Sequence, residues 1–261
     1  SSETDRLEDF GYKTNKTGFT LGTQFEYYDD FYFGVGINSY YESIETDSTA
    51  SAQQKKLKGN YFDNFINLNF DYDKRNQKFQ TSQGFRNYFS TDLPIVSETN
   101  TLANTFITTN YFEYFDSNIL KSSFYFRNSN SITGDNIKLS ERLYLPSNRL
   151  RGFESGKVGP KDGNDFIGGN YIASLNFSSN VPKILENSQT TDIIIFFDVA
   201  NVWGVDYDSA LDTSDDIKSA IGLGLDWFSP IGPMNFTLSQ HLSKGSNDVT
   251  ESFRFNLGTT F

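Results

Sequence analysis

The chain closes on Glu251-Ser-Phe-Arg-Phe-Asn-Leu-Gly-Thr-Thr-Phe261, a stretch of strict alternation. Phe253, Phe255, Leu257, Thr259 and Phe261 fall on one face of a strand, and Arg254, Asn256, Gly258 and Thr260 on the other. In water, an aromatic-faced strand with an open edge recruits another chain. The wall of a membrane β-barrel removes that conflict. One face meets lipid, closure removes the edge, and about 9–11 residues suffice to cross.

Composition fits strands better than membrane helices. Mean hydropathy is −0.51, yet 16% of the 261 residues are aromatic, with 26 Phe and 15 Tyr. The longest strongly apolar run, Ile193 to Phe197, falls far short of the roughly 18 residues a membrane helix needs. There is no cysteine, which removes disulfides, thiol nucleophiles and Cys-type zinc sites. A net charge of −11 argues against a nucleic-acid partner. The opening Ser-Ser-Glu-Thr-Asp lacks a basic segment followed by an apolar core, so a signal peptide is expected to be already removed or to lie upstream.

Period-two alternation marks eleven strands, at 17–28, 31–44, 60–73, 84–94, 101–114, 118–130, 169–179, 191–203, 216–228, 233–242 and 251–261. In the second, Phe31, Phe33, Val35 and Ile37 alternate with Tyr32, Gly34, Gly36 and Asn38. In the ninth, Ile217, Ser219, Ile221, Leu223, Leu225 and Trp227 alternate with Lys218, Ala220, Gly222, Gly224 and Asp226. The second set is small or polar, as a hydrated lumen requires. Tight turns (Tyr28-Asp29-Asp30, Phe115-Asp116-Ser117, Ser229 to Pro233) mostly alternate with long polar connections at 45–59, 131–168 and 204–215. Segments 74–83 and 180–190 are moderately long for the turn side. The expected fold is all-β, an antiparallel transmembrane barrel. Eleven is an odd strand count where bacterial barrels use even ones, and the first sixteen residues read as the tail of a loop. A barrel lacking its N-terminal strands accounts for both.

Four ordered motifs narrow the family. Residues 147–170 carry Arg151-Gly152-Phe153, then Val158-Gly159-Pro160, then Gly168-Gly169-Asn170. Phe196-Phe-Asp-Val-Ala-Asn-Val-Trp203, Gly222-Leu-Gly-Leu-Asp-Trp-Phe-Ser-Pro-Ile-Gly-Pro233 and the aromatic-ended last strand follow. Upstream stands Phe79-Gln-Thr-Ser-Gln-Gly84. Together they resemble the Omp85 superfamily, collinearly over nearly the whole chain: its sixth external loop, its penultimate and strand-turn signatures, and its C-terminal β-signal. The resemblance implies that residues 1–261 are the C-terminal part of such a barrel, about 11 of an expected 16 strands, without the first five strands and the periplasmic POTRA domains. Three positions depart from the family pattern: Pro146 to Arg149 replace a glycine pair, Asn176 stands where an inward Glu is usual, and Ala200 where Gly is frequent.

The implied function is insertion and assembly of β-barrel proteins into the bacterial outer membrane, with no chemical step, no cofactor and no metal. The implied partners are unfolded outer-membrane protein clients, assembly-complex lipoproteins and outer-membrane lipids including lipopolysaccharide. The last strand (Phe253, Phe255, Leu257, Phe261) would form one side of a weak seam that templates an incoming strand by β-augmentation. Two rivals remain: a protein translocation pore of the same superfamily (two-partner secretion or translocation-and-assembly type), and a plain porin or barrel enzyme. The porin predicts no inward-folded loop.

A long loop folded into a barrel needs an anchor. Arg151 offers a planar fork of donors suited to a carboxylate. Asp198 is the expected partner, provided its parity with Ile194, Phe196, Ala200 and Val202 matches the lumen face. Asn176 would add a neutral bond, and Asp226 is the fallback carboxylate. A generic lumen ion pair is the plainer account without the resemblance. Gly152 would let Phe153 turn inward, while Gly159, Gly168 and Gly169 would allow close backbone approach, against the plainer reading of ordinary loop glycines. Trp203, Trp227, Phe228 and Phe261 suit aromatic girdles. The acidic set Asp206, Asp208, Asp212, Asp215 and Asp216 lacks the spacing of a calcium loop and reads as a solvated external loop. His241, the single histidine, lacks a Gly-x-Ser-x-Gly elbow and reads as a rim residue.

Overall fold

The computed structural model describes residues 2–78, 80–115, 118–181, 190–229 and 232–257. The strands in chain order are β1 (Ser2–Arg6), β2 (Tyr12–Tyr28), β3 (Phe31–Thr46), β4 (Gly59–Asp73), β5 (Gly84–Ser97), β6 (Thr101–Phe115), β7 (Asn118–Ser131), β8 (Lys161–Asp162), β9 (Asp165–Phe166), β10 (Tyr171–Asn180), β11 (Thr191–Trp203), β12 (Lys218–Ser229), β13 (Gly232–Ser243) and β14 (Phe253–Leu257). Twelve of them form one sheet in sequence order, while β8 and β9 pair separately inside the connection between β7 and β10. Every pairing is antiparallel. Among the described residues β1 and β14 each have one neighbour, so the sheet is open.

All eleven strands read from alternation are present. The first sixteen residues, read as a loop tail, correct that reading. Ser2–Arg6 is a strand paired with residues 12–16 of β2, which in turn pair with the upper part of β3. The segment Lys13-Thr-Asn-Lys16 has no apolar periodicity to detect. The β2–β3 hairpin is extended there by backbone pairing, by Tyr12 packed with Ile44 on Leu139, and by the Lys16–Glu42 ion pair. The Asp29-Asp30 turn closes that hairpin, with Asp30 at φ +64° in the left-handed region that Asp tolerates.

Outward positions carry the apolar alternation. Ile37, Ile195, Ile221, Leu223 and Trp227 are exposed, whereas Lys218 and Ala220 on the opposite face of β12 are buried. Register adds what alternation along one strand cannot show. Phe25, Phe33, Phe70, Phe89, Phe106 and Phe126 are directly opposite one another across β2 to β7. Ring centroids are 5.7 Å apart for Phe25–Phe33 and 5.1 Å for Phe33–Phe70. Such cross-strand aromatic pairs contribute roughly 0.2–1 kcal/mol each and fix register.

The core lies on the inner side of the sheet, between the wall and residues 132–170. Leu143, Leu145, Leu150, Phe153 and Val158 of this loop pack on Tyr125 (β7), Ile172 (β10), Ala200 and Val202 (β11) and Ala220 (β12). A second cluster joins Leu139 to Tyr12 (β2) and Ile44 (β3), with Phe10, Leu57, Tyr61 and Tyr144 against it. No helix among the described residues is long and apolar enough to cross a membrane. Several sequence expectations lie outside the described residues: Phe261 and the rest of 258–261, Phe79, Asp116 and Ser117, Pro230 and Ile231, and the side chain of Phe228.

Candidate functional site

The inner-face carboxylate of Asp198 organises the site. On β11, Phe196, Asp198, Ala200 and Val202 are buried while Ile195 and Phe197 are exposed, so the parity that the Arg151 pairing needs is the parity found. Arg151 Nε donates to Asp198 Oδ2 at 2.8 Å and Nη2 to Oδ1 at 2.7 Å. The Arg151 backbone N–H donates to Oδ2 at 3.0 Å. Asn176, opposite Asp198 in the β10–β11 register, donates from Nδ2 to Asp198 Oδ1 and to the Arg149 carbonyl, both at 2.8 Å. The guanidinium lies 3.7 Å from the centre of the Phe196 ring. A fully buried carboxylate thus accepts four bonds, and the cation has both a fork-shaped partner and an aromatic face.

Asp226 corrects its assignment as a fallback partner. It shares the lumen face and lines the same cavity as Arg151, but among the described residues Arg151 pairs with Asp198, and Asp226 stands six residues further along β12 than the Ala220 that faces Asp198. There it accepts from Asn235 Nδ2 at 2.5 Å.

Two glycines have steric reasons. Gly152 has φ +90°, and a Cβ there would lie 3.1 Å from Ser239, so the turn that sends Phe153 inward admits little else. At Gly169 a Cβ would lie 2.4 Å from the Trp203 carbonyl oxygen. The same residue exchanges two hydrogen bonds with Leu143, at 2.8 and 2.9 Å, which return the loop to the wall. Gly168 precedes it, and Gly159 stands beside Val202 of β11. Phe153 is buried, with its ring centroid 6.5 Å from that of His241.

A second attachment went unread in the sequence. Lys138, fully buried, donates to Glu42 Oε2 (β3) at 3.0 Å and makes a short contact with Asp63 (β4). Glu141 approaches its Nζ at 3.3 Å and accepts from Thr101 Oγ1 at 2.6 Å. Burial alone would lower the Lys138 pKa, but Glu141, Tyr40 and Glu42 outweigh it, and the pKa is raised. Burial raises the Glu141 carboxyl against the opposing attraction of Lys138. The loop's Arg142 pairs with Asp206, whose other oxygen accepts from the Ile137 N–H at 2.9 Å. Asp206, exposed like Asp208, Asp215 and Asp216, is thus also a partner of the inward loop. The one sequence signal is Ile137-Lys138-Leu139, a cation between two apolar residues. No group of three or more side chains able to hold a metal occurs among the described residues.

The Omp85 superfamily domain matches residues 2–261. The chain is 27% identical over 132 residues to the outer membrane protein assembly factor BamA of Neorickettsia risticii (strain Illinois), covering 49% of this chain and 18% of that protein. The namesake from Neisseria meningitidis serogroup B is 30% identical over 139 residues, covering 43% and 17%. That of Nitratidesulfovibrio vulgaris is 28% identical over 132 residues, covering 48% and 16%. The matches thus span less than a fifth of these relatives' length. The crystal structure of BamA from Haemophilus ducreyi lacking POTRA domains 1–3 superposes with a TM-score of 0.83 at 18% identity, over 94% of this chain and 54% of that one. At that identity the likeness is one of fold.

Proposed function

The chain belongs to the Omp85 superfamily, and on that premise we propose that it is part of a protein that inserts and assembles β-barrel proteins in the bacterial outer membrane. The observation that carries this reading is the terminal strand. β14 pairs only with β13 among the described residues, and its outward Phe253, Phe255 and Leu257 are 47–57% exposed. An edge of that kind templates another strand by main-chain hydrogen bonding, with apolar side chains on the lipid side. No chemical step, cofactor or metal is required. The clients are unfolded outer-membrane proteins. Accessory lipoproteins and outer-membrane lipids, lipopolysaccharide included, are further proposed partners.

The packed loop speaks against an always-open conduit, since its apolar core covers the inner side of β7, β10, β11 and β12 at the level of Tyr125, Ile172, Val202 and Ala220. The plain-porin reading, which expects no inward-folded loop between β7 and β10, is disfavoured on the same ground.

These 261 residues hold no cysteine, and any cysteine elsewhere in the full-length protein is first replaced by serine. The full-length protein carrying Asn256→Cys is reconstituted in liposomes and given an unfolded barrel client with one cysteine in its terminal strand. A mixed disulfide should form during folding at Asn256→Cys, but not at Thr105→Cys in β6, which is paired on both sides. Equal yields at the two positions would refute edge templating.

A further inference from the structure

The loop that Asp198 anchors also holds the terminal strand. Residues 152–157 lie antiparallel to 249–251. The Glu154 N–H donates to the Val249 carbonyl at 2.9 Å, the Val249 N–H to the Lys157 carbonyl at 3.0 Å, and the Glu251 N–H to the Gly152 carbonyl at 3.0 Å. Phe153 and Thr250 are directly opposite. Arg254 Nη2, from within β14, donates to the Phe153 carbonyl at 2.8 Å, and the same guanidinium pairs with Glu251.

Asp248 joins the two sides. Its buried carboxylate accepts from the Gly159 N–H through Oδ1 at 2.9 Å and from the Gly245 N–H through Oδ2 at 2.6 Å. One oxygen is committed to the loop and the other to the segment that returns from β13. Beyond this region β14 is held by five residue pairs with β13, from Leu238–Phe253 to Met234–Leu257.

We propose that Asp248 is a positioning residue that clamps the start of β14 to the anchored loop, so that the edge strand is mobile only toward its Leu257 end. The chain of support runs from the wall at Asp198 through Arg151 and Gly152 to Val249, Glu251 and Arg254. The state of the loop and the state of the edge are then one variable. This rests on reading β14 as the templating edge, but the test reads backbone exchange and not client insertion. Failure of the templating reading therefore leaves the exchange result intact.

The test is amide hydrogen exchange in the full-length protein in detergent micelles. In the unmodified protein the amides of Glu154, Val249 and Glu251 should exchange as slowly as that of Arg254, which faces Thr237 of β13, and more slowly than that of Asn256 near the Leu257 end. Asp248→Asn presents an amide N–H₂ to one of the two donors. It should accelerate exchange across 249–256 by about tenfold or more, because bonds to a charged acceptor are lost. Asp248→Glu should not restore protection, since the longer side chain cannot reach both amides in the same place. The decisive readout is the pair with Asp198→Asn. Supports in series give a double variant no faster than the faster single variant, whereas independent supports multiply. Multiplication, loop-like exchange at Val249 and Glu251 in the unmodified protein, or unchanged exchange in Asp248→Asn would each overturn the proposal. The first of these does not depend on the single variants' absolute stability, and the second needs no variant.

Discussion

Replacing Asp198 by Ala should release the inward loop, and the structure sets the size of the effect. The carboxylate accepts from Arg151 N, Nε and Nη2 and from Asn176 Nδ2. Truncation leaves a guanidinium that is 18% exposed, with the Phe196 ring as its remaining partner. Removing one member of a buried pair costs about 3–5 kcal/mol. The residual cation–π contact and the partial water access of Arg151 place this variant near the lower end. About 3 kcal/mol corresponds to a rise in the undocked loop population of roughly 150-fold, at about 1.4 kcal/mol per decade. Asn176→Ala removes one donor from the same carboxylate and one from the Arg149 carbonyl, and should cost about 2 kcal/mol. The two changes share a partner, so their effects should not add. Hydrogen exchange of a peptide covering residues 147–158, in the full-length protein in detergent, reads the docked fraction, because the Arg151 amide is itself bonded to Asp198. Trypsin cleavage at Arg149, Arg151 and Lys157 gives an independent reading. Unchanged protection in Asp198→Ala, or an effect of Asn176→Ala as large as that of Asp198→Ala, would refute the anchoring argument.

Three other expectations follow from the same geometry. Lys138→Met strips the cation from three carboxylates and should destabilise the loop's attachment to β3 and β4 by about 3–5 kcal/mol, seen as faster exchange at residues 137–143 with the Asp198 end still protected. The Glu141 carboxyl is raised by burial, so the folded state keeps its proton longer than the unfolded chain does. Its contribution is present below its ordinary value of 4.5 and is lost as pH rises through the raised value; protection of residues 137–143 should thus decline with pH above about 4.5, and Glu141→Gln should flatten that decline. Phe70→Ala removes the central ring of the six-Phe row and two cross-strand pairs, and should cost about 0.4–2 kcal/mol, measured as a lower temperature of heat modification on a gel; an equal loss from Phe62→Ala, an outward Phe of the same strand outside that row, would show that the row has no special weight.

The strand plan was legible because a lipid-facing wall obliges apolar and small or polar residues to alternate along each strand, as in Ile217 to Trp227. It fails at residues 2–16, where few apolar residues alternate and the extension is held by backbone pairing, by Tyr12 packed against the distant Leu139, and by the Lys16–Glu42 pair. Part of the site could be read in the same way. Arg151, Asp198 and Asn176 lie on motif positions, and strand parity puts Asp198 and the Asn176 that bonds it on the inner face. Parity also admitted Asp226, because alternation gives the face of a residue but not its level along the barrel. Lys138 is not legible in the sequence because its partners Glu42 and Asp63 lie 96 and 75 residues away. Asp248 was missed for a similar reason, since Gly159 is 89 residues distant.

The sequence by itself determined the all-β architecture, the outward and inward faces, and the loop motif, since all three are properties of spacing within a segment. The tertiary structure decided register, and register created the Phe row, the Asn176–Asp198 pairing and the exclusion of Asp226. It also decided that one loop attaches to β3 and β4 at Lys138, to β11 at Asp198, and to the terminal strand through Asp248. Those contacts form between residues whose separation in sequence carries no periodic signal, and they exist only because the curved sheet brings its distant strands around the same buried loop.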